Sequence, residues 1–127
     1  MADNNRIHLL IAEDHPVLRE AFNVYFSEQK NVEVVGQAAD TGQALSLSQQ
    51  LQPDVILVSS TLRPMSILHF IGRLCDQNPD MRIVVLASEI DNTGKEKYLK
   101  AGASQAVVKG IFATDLLDIV HQAYVKN

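Results

Sequence analysis

Residues 7–16 read Ile7-His-Leu-Leu-Ile-Ala-Glu-Asp-His-Pro16, and this stretch decides the fold. The run Ile7–Ala12 is almost wholly aliphatic, which suits a strand of a parallel sheet covered on both faces. Two acids, Glu13 and Asp14, follow at once. Pro16 then suits the first turn of a helix, where its missing N–H costs nothing. A buried strand runs through an acidic pair straight into a helix.

Working outward, the same alternation recurs. Apolar runs stand at Val32–Gln37, Val55–Val58, Ile83–Ala87 and Ala106–Val108. Between them the apolar residues fall at helical spacing. Leu18, Ala21, Phe22, Tyr25 and Phe26 form one stripe. Ala44, Leu47 and Leu51 form a second, with Thr41 as the expected N-cap. Ile67, Phe70, Ile71 and Leu74 form a third behind the cap Ser66. Asn92–Ala101 is a weaker fourth helix, stopped by Gly102 at its C-terminus. Leu116, Ile119, Val120 and Ala123 mark a fifth, with no clear cap. Five strand–helix units predict an α/β fold, a parallel sheet with helices on both faces.

Composition narrows the functional classes. The 127 residues suit one domain, 1–127. Hydrophobic residues at 46% and charged residues at 20% exclude a disordered tail. A single cysteine, Cys75, excludes an internal disulfide and fits a reducing compartment. A net charge of −4 argues against direct nucleic-acid binding, which needs a basic face. No apolar run is long enough to cross a bilayer, and Met1 to Arg6 carries no signal-peptide core. The expected location is the cytoplasm, with no membrane contact.

In an open parallel sheet, ligands bind beyond the carboxyl ends of the strands. That edge would collect Glu13 and Asp14, the hydroxyls Ser59, Ser60 and Thr61, then Ala87 and Ser88, and finally Lys109. Adjacent carboxylates at a strand end point to a hard cation, because Mg²⁺ prefers carboxylate oxygens and water. Two readings of Lys109 stand: it neutralises an incoming phosphoryl oxygen, or it pairs with Asp14 and ties loops together. His15 either tunes this edge or simply begins a helix. His8, His69 and His121 lack ligand-like partners in the sequence and read as structural. Cys75 reads as a small core hydrophobe.

At this point the chain resembles a known family. Ile11-Ala-Glu-Asp-His-Pro16, Val34-Val-Gly-Gln-Ala-Ala39, Gln52-Pro-Asp-Val-Ile-Leu57, Ala101-Gly-Ala103 and Lys109 stand in the order and spacing of bacterial two-component response regulator receiver domains. They are most similar to the subclass fused to a quorum-sensing-type helix-turn-helix. The resemblance implies a flavodoxin-like (βα)5 fold with strand order 2-1-3-4-5. It also implies an aspartate at the end of strand three that accepts a phosphoryl group from a histidine kinase. Mg²⁺ on the acidic pair and a phosphoryl-contacting lysine belong to the same pattern. A hydroxyl after strand four and an aromatic on strand five would relay the change.

The sequence departs from that pattern where it matters. The acceptor position, six residues on from Pro53, holds Ser59; the hydroxyl position holds Ala87; the aromatic position holds Ala106. Glu13, Asp14 and Lys109 remain, and they sum to −1 where three carboxylates and a lysine give −2. Losing an anionic ligand weakens Mg²⁺ and relieves repulsion in its absence. The site is therefore expected to need no cofactor, to bind Mg²⁺ weakly, and to pair Lys109 with Asp14. No enzyme activity is expected. Ser59 is a poor acceptor, since a hydroxyl needs a base or metal to attack.

The leading expectation is a degenerate receiver acting as an interaction or homodimerisation module, independent of phosphorylation. Tyr98, Ile111, Phe112 and Tyr124 are its candidate partner surface, with ordinary core packing as their other reading. DNA would be reached only through a C-terminal helix-turn-helix. A second reading keeps an active phosphorelay receiver that uses Ser59 or a displaced acceptor. A third is a small-ligand-binding flavodoxin-like module, although no Gly-rich phosphate loop follows strand one.

Overall fold

Aliphatic runs with branched side chains pair into strands, and the amphipathic segments between them cover the resulting sheet. The structure, a computed structural model, describes residues 6–89, 91–111 and 113–125. The chain order is β1 (Ile7–Ala12), α1 (Pro16–Ser27), β2 (Val32–Ala38), α2 (Thr41–Leu51), β3 (Val55–Ser59), α3 (Ile67–Gln77), β4 (Arg82–Ala87), α4 (Asn92–Ala101), β5 (Gln105–Val108) and α5 (Ala113–Val125). All strand pairs are parallel, and the sheet order is β2-β1-β3-β4-β5. This is the parallel α/β sheet expected from the strand–helix alternation, in the flavodoxin-like order that the family resemblance implies.

Strand side chains alternate between faces, so one sheet makes two cores. Leu10, Ile56, Val58, Ile83 and Val85 face α2 and α3, where Phe70, Ile71 and Leu74 meet them. Leu9, Ile11, Val55, Leu57, Val84 and Leu86 face the other way, against Phe26 of α1 and Leu116 and Val120 of α5. Both faces of the central strands are therefore buried, which is why they read as continuous apolar runs.

The helix ends follow local chemistry, with one correction. The α2 cap is Asp40, not Thr41: the Asp40 carboxylate accepts the Gln43 amide at 2.7 Å. Thr41 is 1% exposed and turned inward. Its amide donates to Arg63 O at 2.8 Å, and its hydroxyl accepts the Met65 amide at 3.2 Å. Thr41 thus clips the β3–α3 loop to the start of α2. Ser66 caps α3 and Gly102 ends α4, both as the sequence predicts. Cys75 is half-buried on α3, and burial first, then Asp76, push its thiol up.

The strand order reverses between β1 and β3. That switch point opens a crevice beyond the carboxyl ends of both strands. Glu13 and Asp14 leave β1 there, and Ser59 to Thr61 leave β3 beside them.

Candidate functional site

Each acid at the end of β1 has a different environment. Glu13 is 1% exposed, its amide bound to Ala38 O at 3.0 Å. Its Oε2 accepts the His15 amide at 3.0 Å and the Lys109 ammonium at 3.3 Å. Its Oε1 faces the same ammonium at 3.3 Å. Lys109 arrives from the turn after β5, so this ion pair joins the two ends of the crevice. The expected Lys109–Asp14 pairing is corrected: the direct partner is Glu13. Side chains alternate past the strand end, which turns Glu13 inward and Asp14 outward.

Asp14 is exposed, and its Oδ1 accepts the Thr61 hydroxyl at 2.7 Å. Burial pushes its carboxyl up, but the Thr61 hydroxyl, its own amide, Glu13 and Lys109 together hold it below the ordinary value. Ser59, 1% exposed at the end of β3, lies 2.8 Å from the Thr61 hydroxyl. Thr61 has one hydroxyl proton and gives it to Asp14. The Ser59 hydroxyl therefore donates to Thr61, while its oxygen accepts the Thr61 amide at 3.4 Å. A directed chain runs Ser59 to Thr61 to Asp14.

The helix that follows is fixed to the same place. His15 caps α1, its Nδ1 accepting the Leu18 amide at 3.4 Å, and Arg19 donates to Glu13 O at 2.9 Å. The His15 ring thus starts the helix, the second of its two readings, while its backbone amide serves Glu13.

Ala87 and Ala106 are buried at 1% and 3%, and their methyl groups offer the edge no polar atom. Ser88 lies exposed just past β4. Among the described residues, no three His, Cys, Asp or Glu side chains converge to hold a metal ion. His8 instead bonds Asp54 through its amide at 2.8 Å and faces Glu33 at 3.6 Å.

The candidate partner surface divides. Tyr98 packs against the α2/α3 core and Ile111 against the α1/α5 core, as in their packing reading. Tyr124 is 38% exposed, whereas Phe112 lies outside the described residues. Leu99 on α4 and Val108 on β5 are exposed at 39% and 43%, and sequence reasoning missed both. Leu99 adjoins Tyr98 in the same apolar stretch, and only the fold shows which of the two turns outward.

Surface cavities flank this architecture, two of them near residues named above. One, about 330 Å³, lies within the β3–α3 loop, bounded by Ser60, Arg63 and Ser66 among others. The other, about 440 Å³, lies at the opposite end of the sheet between Ile7, Asn31, His121 and Tyr124. No helix among the described residues is long and apolar enough to cross a membrane.

Comparison with known proteins agrees with the fold. The family model described as "Response regulator receiver domain" matches residues 9–121. The transcriptional regulatory protein LiaR of Bacillus subtilis is 29% identical over 117 residues, covering 92% of this chain and 56% of LiaR. The response regulator protein VraR of Staphylococcus epidermidis is 28% identical over 118 residues, covering 93% of this chain and 56% of VraR. The chain thus spans about half the length of these curated relatives. Among solved structures, the signal receiver domain of the response regulator NarL from Mycobacterium tuberculosis superposes with a TM-score of 0.90. It is 22% identical and covers 97% of this chain and 99% of that one.

Proposed function

The chain belongs to the response regulator receiver domain family, and from that premise we propose that it is a degenerate receiver whose output does not depend on a phosphoryl group. The observation that carries this reading is Ser59. The family resemblance puts the acceptor aspartate there, and this serine is buried with its hydroxyl donated to Thr61.

Two further features support it. Mg²⁺ fits this donor set poorly: Glu13 is inward and taken up by Lys109, Asp14 is held by Thr61, and no third carboxylate completes the set among the described residues. Ala87 and Ala106 supply neither hydroxyl nor aromatic ring, so a phosphoryl group would lack its relay. The domain then acts as an interaction or homodimerisation module, and the exposed Leu99 and Val108 give its α4–β5 side an apolar character. In a longer protein of the LiaR or VraR kind, DNA contact belongs to another domain, a helix-turn-helix by family resemblance. A histidine kinase, if it docks, does so without transferring phosphate.

Incubation with acetyl phosphate and Mg²⁺, followed by intact-mass spectrometry, tests this. The expected product is the unmodified chain. A stoichiometric phosphoryl adduct on any residue of the β3 end would overturn the proposal and restore an active phosphorelay receiver.

A further inference from the structure

We infer that Thr61 is a positioning residue that holds the carboxylate edge shut, doing with one hydroxyl what a bound cation would otherwise do. The inference rests on the reading of this site as cation-independent.

Three sets of side-chain contacts tie the loops at this edge. Lys109 ties the turn after β5 to Glu13. Thr61 ties the β3–α3 loop to Asp14, which lies between β1 and α1. Thr41 ties the far end of the β3–α3 loop to α2. Without the Thr61 hydroxyl, nothing among the described hydrogen bonds joins the β3–α3 loop to Asp14. The bond is also of the strong kind, a short contact from a hydroxyl to an ionised carboxylate.

Both partners are exposed, so the bond stands where a cation would approach. Asp14 is the outward member of the acidic pair and so the carboxylate a cation reaches first. The Thr61 proton engages Oδ1, one of the two oxygens that a cation at Asp14 could use. A cation at Asp14 would therefore compete with the Thr61 proton for the charge of the carboxylate, and losing that bond would leave the Ser59–Thr61 pair to rearrange. Ser59 does not compete for Asp14 directly, because its hydroxyl ends on Thr61. Thr61, more than Ser59, sets the threshold for opening the edge.

Mg²⁺ titration followed by amide NMR tests this on the wild type, Thr61→Val and Thr61→Ser. The wild type should show shifts at Asp14 that rise without saturating. Thr61→Val, which keeps the shape but has no proton to give, should bind Mg²⁺ about tenfold more tightly, a change of about 1.4 kcal/mol. Thr61→Ser retains the donor and should follow the wild type. Thr61→Ala repeats the test with a smaller side chain if the valine disturbs folding, which the dispersion of the amide spectrum reports. A folded Thr61→Val or Thr61→Ala with unchanged Mg²⁺ affinity overturns the role of Thr61 and leaves the proposed function standing. Saturating shifts in the wild type overturn both.

Discussion

Replacing Lys109 with methionine should lower the unfolding free energy by about 3 kcal/mol, read from urea melts at neutral pH. The reason is Glu13, not the lysine. Glu13 is 1% exposed, and Lys109 is its charge partner at 3.3 Å. Without the ammonium, the buried carboxylate keeps the His15 amide but no cation among the described ion pairs. Removing one partner of a buried pair leaves an uncompensated charge, which costs far more than the pair itself contributes. The loss sits near the lower end of that range because the Lys109 side chain is 20% exposed and water can follow it. The melting temperature should fall by about 10 °C for a domain of this size. The double variant Glu13→Gln, Lys109→Met removes both charges and should recover most of the loss. Equal destabilisation of the single and double variants would mean that the lysine's alkyl stem, not its charge, matters.

The next largest effect is expected at Gly102, where alanine should cost about 3 kcal/mol by the same measurement. Two terms contribute. The residue has φ 125°, a backbone conformation that side chains with a Cβ rarely adopt, worth about 2 kcal/mol of strain. A Cβ there would also collide with Cys75 Sγ on α3. The consequence is local as well as global. Helix α4 has no fully buried residue, and the Gly102 and Ala103 amides close its C-terminus on Leu99 and Tyr98. Hydrogen exchange in α4 should therefore accelerate more than in the sheet. Cys75→Ala in the same background should relieve the collision and leave only the strain. No rescue by Cys75→Ala would show that the backbone angle alone sets the cost.

How far the sequence carries can be judged from particular residues. The sheet was legible because Ile7–Ala12, Val55–Val58 and Ile83–Ala87 are aliphatic on both faces, which only a doubly covered strand requires. Gly102 and Ser66 were legible because their roles are local. Thr41 was misread because Asp40 and Thr41 are both capping types. What separates them is a contact between Thr41 and Arg63 and Met65, distant in the chain. Lys109 was assigned to the wrong acid for a related reason. Glu13 and Asp14 are adjacent, and only the direction in which β1 ends decides which of them points inward.

The convergence of Glu13, Asp14, Ser59 and Lys109 on one edge followed from the strand ends alone. Thr61 stood in the same hydroxyl cluster, but nothing in its neighbours reveals that its proton goes to a residue 47 positions earlier. Turn geometry after β3 makes that contact, and it is invisible to periodicity. The partner surface was read least well, because Tyr98 and Leu99 are equivalent in the sequence. The fold buries part of one and exposes the other.

The central claim is that this receiver edge is closed by its own side chains and does not respond to a phosphoryl group. Amide NMR of the labelled domain, before and after Mg²⁺ and then beryllofluoride, tests it most directly. The expected result is no saturable shift at Glu13, Asp14, Ser59 or Lys109 on adding the phosphoryl mimic, and none in α4 or β5. Saturable shifts at those four residues, spreading into α4 and β5, would contradict it and make the domain a phosphorylation-driven switch.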